Sequence, residues 1–597
     1  MKMDVSLFYK NRINKLTELE NHYIKKGKIF PVTRLLSIVF AFSFFYWFYN
    51  YNILFSWISL LVFFSVFVII ARKDLKNGEK LTLLNLYKSI NENELNCLNG
   101  SFEFYYNGKD YIDNNHAYSY DLDIFGDYSI FQYINRTTLK ISCDILANWL
   151  QNPASKNEIK LRQEAVCELR DKIDWRQNLY ALGLKHKHSK KSPDSLLKWM
   201  KEPFDIQNIR KIFIACGFIF SITVISTILS ILSLIPIIIP VVFILIHYVI
   251  IRKTNNKIKI IHDKVSKNVD LLETYSDIIA LIKEEKFNSV KLKNLCQIFN
   301  TDKNILNNIK QLSGILNKLD FRFNVLIHPV INVLFFFDII QTYRLYKWKR
   351  KNSNNIEKLF YTIGEFEALS SFANLSHNNP KWHFPDISSE HFIFKAKNIG
   401  HPLISEDKRV LNDFKIIGDS KIAIITGSNM SGKSTFLRTI GVNIVLSMAG
   451  SCVCAEKLAL SHVKVVSSMR ISDSLKENTS TFHAELKKIG NIVRLVENKE
   501  KVFLLLDEIL KGTNTNDKYL GSVALIKQFI KNNAVGSMAT HDIPLANLHD
   551  DMPDNIENYH FDVQVNNNEL FFDYKLYRGI CKSLNASILM KKIGIKI

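Results

Sequence analysis

From Leu35 to Ala71 the chain carries no charged side chain. The run is too long for a helix of a soluble core, and it accommodates two passes of about 15 to 19 residues through the hydrocarbon of a bilayer. Asn50 and Asn52 mark the turn between the passes. Tyr46, Trp47, Tyr49 and Tyr51 gather beside it, where aromatic rings favour the membrane interface. A second uncharged run spans Ile212 to Ile251 and turns at Pro236 and Pro240. The pattern predicts two membrane hairpins, four transmembrane helices in all.

Flanking charge gives the orientation. Arg34 precedes the first hairpin and Arg72, Lys73 and Lys76 follow it; Arg210 and Lys211 precede the second and Arg252, Lys253 and Lys257 follow it. Basic flanks stay in the cytoplasm, so the expectation is a multi-pass protein of an inner or cytoplasmic membrane with both ends of both hairpins inside. A third apolar stretch, Asn324 to Ile340, contains Pro329, Asn332 and Asp338. As a fifth span it would carry the rest of the chain out of the cytoplasm, and it is therefore read as a buried core helix.

The chemistry sits later in the chain. Ile422, Ala423, Ile424 and Ile425 lead into Gly427-Ser428-Asn429-Met430-Ser431-Gly432-Lys433-Ser434-Thr435. An apolar strand, a glycine loop and a helix start in this order form a phosphate cradle, because loop amides and the helix N-terminus point at the anion. Lys433 supplies a point charge for the terminal phosphates of ATP, and Ser434 a hydroxyl for Mg2+. Residues 502–508, Val-Phe-Leu-Leu-Leu-Asp-Glu, read as a buried parallel strand ending in two acids. There Asp507 is placed to hold the magnesium and Glu508 to orient or deprotonate the attacking water. His541 closes a further strand, in position to sense the terminal phosphate.

Composition narrows the partners. A formal net charge of +21 over 597 residues points to a polyanion, either nucleic acid or an anionic membrane face. The eight cysteines are scattered without a Cys-x-x-Cys or Cys/His cluster, so neither a metal cluster nor a disulfide framework is expected and a reducing cytosol fits. The mostly polar stretch from Met1 to Lys28 does not read as a cleavable signal.

The stretches TGSNMSGKSTFLRTIG, MAGSCVCAEKLAL (448–460), Ser480-Thr-Phe482 with Glu485, LLLDEILKGTNTND and ATHD resemble the ATPase domain of the MutS family in order and spacing. That resemblance implies an ABC-type α/β P-loop ATPase domain at the C-terminus and a homodimer with composite sites, in which Ser480 of one subunit approaches the nucleotide on the other. The family usually has glycine where this chain has Asn478 and arginine where it has Lys511. Residues 128–153 and 159–183, with Asn135-Arg136-Thr137, resemble the start of the family's helical core, Ser142 or a neighbour standing for a usual glycine. Residues 363–387 resemble its end, including the lever helices. The family's mismatch-reading domain uses a Phe-x-Glu wedge, and no Phe-x-Glu occurs here.

The expected organisation is a cytoplasmic N-terminal helix (1–29), a transmembrane hairpin (30–72), the first part of a mostly α-helical MutS-like core (73–210), a second hairpin (211–253), the rest of the core and lever (254–400) and the ATPase domain (401–597). The second hairpin falls where a DNA-gripping clamp would be expected. Residues 558–580 alternate as two strands around Asn566-Asn567-Asn568, and the family's C-terminal helix-turn-helix extension is expected to be shortened or missing. Two basic runs, 185–191 and 343–351, suit phosphate contacts with DNA or with lipid headgroups. The expected function is a membrane-anchored MutS-type ATPase acting on DNA as a dimer; the alternative is an ATP-switched membrane scaffold without DNA recognition. An ABC transporter fits less well, because the Ser-Thr-Phe motif stands where an LSGGQ-type signature would be.

Overall fold

A computed structural model describes the chain except for residues 1–3, 186–193, 205, 207, 266–268, 302–304, 353–355, 389–391, 429, 471–480, 567–568 and 582–597. Asp4 caps the first helix, Val5–Gly27, by accepting from the Ser6 and Leu7 amides. Ile29–Tyr49 follows, and Asn52 caps the returning helix Ile53–Leu98 through the Leu54 amide at 2.8 Å. The apolar halves pack side by side, with Phe63 against Phe40 and Phe44 and Trp57 edge-on to Phe45. Their outer side chains, among them Leu35, Phe42, Leu61 and Phe64, are exposed. Ser37 and Ser59 are buried and donate to carbonyls of their own helices, as buried hydroxyls must find partners. Among the described residues four helical stretches are long and apolar enough to cross a membrane: Val5–Tyr49, Ile53–Leu98, Ile209–Ile231 and Ile238–Val265.

The division between residues 72 and 73 falls inside a helix. Past Arg72 the helix Ile53–Leu98 continues unbroken because its sequence turns amphipathic and finds partners. Asn77 donates to the Tyr23 carbonyl, Lys88 pairs with Glu20 at 2.9 Å, and Tyr87 reaches Asn178. Near its end Glu94, buried, receives Nε and Nη2 of Arg136 at 2.6 and 3.1 Å, the Tyr105 hydroxyl at 3.0 Å and Asn378 Nδ2 at 2.7 Å. Burial pushes the Glu94 carboxyl up, but the Arg136 charge and these donors outweigh it and hold it below the usual carboxylate range.

The helical core is built around Ile356–Asn378, which is buried along nearly its whole length and packs on Lys140–Gln151 and Lys156–Asp171. The small residue expected in the first of these is Ser142. It faces Gly364, where a Cβ would meet Ile145 Cδ1 at 2.6 Å. Glu367 accepts from the Thr138 and Leu139 amides and from the Thr138 hydroxyl, satisfying donors at the start of Lys140–Gln151.

Residues 324–340 do not form one buried core helix. A short helix Ile327–Phe335 and a second, Phe337–Asn352, are broken at Phe336, whose φ is 51°. His328, Asn332 and Asp338 turn inward and bond one another, which leaves Val325, Leu326 and Val330 exposed.

Among the described residues twelve strands follow: β1 (Asp386–Ser388), β2 (Ile393–Ile399), β3 (Asn412–Ile417), β4 (Ile422–Thr426), β5 (Lys457–Ser461), β6 (Lys464–Ser468), β7 (Val502–Asp507), β8 (Val535–Thr540), β9 (Ile556–Phe561), β10 (Gln564–Asn566), β11 (Glu569–Phe571) and β12 (Leu576–Arg578). The main sheet has the order β12-β9-β4-β8-β7-β6 and is parallel except for β12; a smaller mixed sheet runs β1-β5-β2-β3, and β10 and β11 form the expected hairpin. Alternation along the main strands builds two cores. Ala423, Ile425, Phe503 and Leu505 face helix Lys433–Ala449 and the helical core. Ile422, Ile424, Leu504 and Leu506 face Thr481–Glu497 and Thr515–Lys531.

Removing one member of a buried ion pair strands the other. Glu94→Gln is expected to lower stability by about 3 kcal/mol, read as a shift of the denaturation midpoint of the purified chain; a change under about 0.5 kcal/mol would show that the pair carries no such load.

Candidate functional site

Strand β4 is buried throughout and lies between β8 and β9, so the loop after it emerges at the carboxyl edge of the sheet. Gly427 has φ 154°, and a Cβ there would meet Ser431 Oγ at 2.8 Å and the Phe561 carbonyl at 3.1 Å. Gly432 caps helix Lys433–Ala449 at φ 103°, a left-handed conformation that favours glycine. Met430 is also left-handed and its side chain is exposed. Lys433 is buried, and its Nζ donates to the Gly427 and Ser428 carbonyls at 2.8 Å each. Burial pushes its pKa down while the charges of Glu508 and Asp507 oppose this. Gly432, Lys433, Ser434 and Thr435 line a cavity of about 630 Å³ with Glu508. Asn429 lies outside the described residues.

Asp507 ends β7, with Glu508 just beyond it. Burial raises the Asp507 carboxyl, the Ser434 hydroxyl bonding to it in opposition. Glu508 takes φ 48°, a strained conformation of the kind that collects at functional sites. Its amide donates to the Ala539 carbonyl, and its carboxylate lies 3.1 Å from His541 Nδ1 and 3.3 Å from Lys511 Nζ. Burial works to raise the Glu508 carboxyl, but the His541 hydrogen bond and the Lys511 charge outweigh it and hold it low. Among the described residues, Asp507 Oδ1, Ser428 Oγ and Ser431 Oγ are buried without a hydrogen-bond partner. Two hydroxyls and one carboxylate oxygen left unsatisfied near one loop fit phosphate oxygens and a hydrated divalent cation. Ser434 and Asp507 are the residues that would hold the cation. No group of three or more His, Cys, Asp or Glu suited to a metal was found among the described residues.

Ser480 and Asn478 lie outside the described residues, so the structure neither joins Ser480 to this site nor removes it. The described residues that flank 471–480 have supporting roles that sequence reasoning did not assign. Glu485, buried on helix Thr481–Glu497, accepts the Leu510 and Lys511 amides at 2.5 and 3.1 Å and so fixes the loop after Glu508. Phe482 packs where a Cβ on Gly512 would sit, at 2.7 Å. Asp121, from the helical core, accepts Ser467 Oγ at 2.7 Å, the Met469 and Arg470 amides at 3.2 and 3.1 Å, and Lys488 Nζ at 2.6 Å. It thereby anchors both shoulders of residues 471–480. Pairing across 346 positions carries no local sequence signal.

The cavity mouth was also missed. Phe561, Phe572, Tyr574, His401 and Lys408 line it, and Tyr574 packs over Gly432. Asn412 holds this cover by donating to the Tyr574 carbonyl at 3.1 Å and accepting from the Leu576 amide at 2.9 Å.

Residues 423–592 match the family described as MutS domain V. The similarity is to the MutS family. Mouse MutS protein homolog 4 is 34% identical over 241 residues, covering 39% of this chain and 24% of the relative. The DNA mismatch repair protein MutS of Finegoldia magna is 32% identical over 248 residues, 40% of this chain and 28% of the relative; that of Caldicellulosiruptor bescii is 28% identical over 249 residues, with 40% and 28% covered. The chain thus spans about a quarter of the length of the curated relatives it matches. The α/β region described above is consistent with MutS domain V, and the ATPase-domain motifs lie inside the matched range, whereas the stretches 128–153, 159–183 and 363–387 lie outside it.

Glu485→Ala would free two amides beside Glu508. Faster hydrogen exchange at residues 509–512 and a stability loss of about 2 kcal/mol are expected; unchanged exchange there would remove Glu485 from this role.

Proposed function

We propose that this protein is a membrane-anchored ATPase of MutS type that binds and hydrolyses ATP as a homodimer and acts on DNA, without the family's wedge for reading mismatches. The observation that carries the ATPase reading is the convergence of Lys433, Ser434, Asp507 and Glu508 on one loop, with unsatisfied buried oxygens beside it. Glu508, kept ionised by His541 and Lys511, serves as the base that orients and deprotonates the attacking water. Lys433 holds the terminal phosphates in the cradle of 427–435, and His541 reports their presence to β8 through its contact with Glu508. Bound magnesium, held by Ser434 and Asp507, would neutralise charge on the phosphate oxygens. Ser480 of a second copy completes the site in trans, and the argument for DNA is the similarity to DNA mismatch repair proteins.

Anchoring at a cytoplasmic membrane rests on the four apolar helices, whose outward side chains have no covering protein surface among the described residues. A second reading, an ATP-switched scaffold bound to lipid alone, is favoured by the position of the basic run 343–351. Tyr343 stacks on Phe213 at 4.2 Å, next to the basic flank Arg210 and Lys211, and Lys349 is buried against the Trp199 and Glu202 carbonyls. That leaves Arg344, Lys347, Arg350 and Lys351 exposed beside the second hairpin, where headgroups lie. The other basic run falls mostly outside the described residues.

Glu508→Gln is expected to keep ATP binding and lose at least about 100-fold in turnover; unaltered turnover removes Glu508 as the base. Removing the hydrogen bond in His541→Ala raises the Glu508 pKa, so the acid limb of the pH–rate profile moves to higher pH, and an unmoved limb would contradict the pairing. Duplex and branched DNA should bind with an affinity that falls steeply with salt; absence of any such binding, with and without ATP, leaves the scaffold reading.

A further inference from the structure

The third apolar stretch of the chain, Asn324 to Ile340, sits between Phe321 and the basic run 343–351, and its path relative to the second hairpin is traced by side-chain contacts. Its first residues lie at the level of the helix Ile238–Val265 that follows the basic flank: Arg322 donates to Asn255, and Phe323 lies 5.5 Å from the His262 ring. The chain then descends. His247 Nδ1 donates to the Val333 carbonyl at 2.9 Å, and its ring lies 4.2 Å from Phe336, while Phe335 lies 6.0 Å from Phe220. His247 is about five residues inside Arg252, roughly 8 Å along a helix; Phe220 is about nine inside Lys211, roughly 14 Å. At Phe336 the backbone turns left-handed and Phe337–Asn352 climbs back, passing Phe213 at Tyr343 and Phe204 at Tyr346.

The depth reached is less than half of a hydrocarbon core of about 30 Å, so the element enters and leaves on one side. Its two faces are sorted for that position. The inner face is polar and closed on itself: Asp338 lies 2.9 Å from His328 Nε2, 3.2 Å from Asn332 Nδ2 and 3.3 Å from Arg322 Nε, and its amide donates to Asn332 Oδ1. Broken backbone at membrane depth is tolerated where protein buries it, and the Phe336 amide meets this condition by donating to the Asn332 carbonyl. The outer face is apolar and bare, with Val325 82% and Leu326 85% exposed and Ile327, Val330, Leu334 and Phe335 also exposed. It continues the exposed apolar surface of the second hairpin, which includes Ile225 and Val249. A bare apolar face of this size calls for a cover, and its continuity with the spans identifies the cover as lipid.

We infer that residues 321–352 form a re-entrant element that dips into the cytoplasmic leaflet beside the second hairpin, with acyl chains covering Val325, Leu326, Val330 and Phe335; this rests on the membrane reading of the hairpins. The element is the third membrane contact of the chain, and the next described helix, Ile356–Asn378, is the centre of the helical core.

The test uses full-length protein in liposomes of neutral and anionic phospholipid, with single cysteines at Leu326, Val330, Ile225 and Val290 and the unsubstituted chain as background. Leu326→Cys, Val330→Cys and the span control Ile225→Cys should react with a bulky water-soluble maleimide at least tenfold more slowly than the exposed control Val290→Cys. A nitroxide on Val330→Cys should collide with oxygen and not with a water-soluble nickel chelate. Rapid labelling at Leu326 and Val330 with Ile225 protected would overturn the re-entrant element and leave the hairpins standing. Rapid labelling at Ile225 would overturn both. Protection at Val330 with neither oxygen nor nickel reaching the nitroxide would mean that protein, such as a second copy, covers this face, and would overturn the lipid assignment.

Discussion

The buried pair of Glu94 and Arg136 joins three parts of the molecule at one carboxylate. Glu94 stands near the end of a helix that begins in the first apolar hairpin, Arg136 belongs to the start of the helical core, and Asn378, which shares the same carboxylate, ends the helix that leads towards the sheets. The Arg136 guanidinium also lies 3.8 Å over the Tyr105 ring. A charge this deeply buried is tolerated only while every partner stays in place, which is why the relative positions of hairpin helix, core and sheet are set here and not left to a linker.

From this joint the architecture passes directly into the proposed nucleotide site. The helix that starts at Lys433 ends against the helical core: Arg162 donates to the Ala449 carbonyl at 3.1 Å, where a cation suits the negative end of the helix dipole, and the Met448 carbonyl accepts from the Ala154 amide. The other end of the same helix closes the glycine loop proposed to hold phosphate. One rigid rod therefore has that loop at its N-terminus and the helical core at its C-terminus, while Asp121 reaches from that core to both shoulders of 471–480. A change at the glycine loop and a change at the core are mechanically adjacent.

The legibility of the sequence followed the range of the forces involved. The glycine loop, the Asp507-Glu508 strand end and the four apolar helices are set by local pattern, and each has its counterpart in the structure where the residues are described. The stretch 324–340 reads as a core helix because a fifth span would carry the rest of the chain out of the cytoplasm, but its course is decided by Asp338, His328 and Asn332 pairing inward and by the break at Phe336. The division near residue 72 was drawn where charge begins, but a helix needs no break there if amphipathic packing continues it. Asp121 and Asn412, and the supporting role of Glu485, leave no trace in the sequence for a different reason. Their partners are distant in the chain, and a buried acceptor for two or three amides leaves no periodicity to read.

The central claim is that one chain holds both a nucleotide site and an integral membrane anchor. The most direct measurement is photo-crosslinking of an azido analogue of ATP to cytoplasmic membranes washed with alkaline carbonate. The account requires the chain to remain in the washed pellet and to take up label that excess ATP displaces. Recovery of the chain in the carbonate supernatant, or a pelleted chain that takes up no displaceable label, would contradict it.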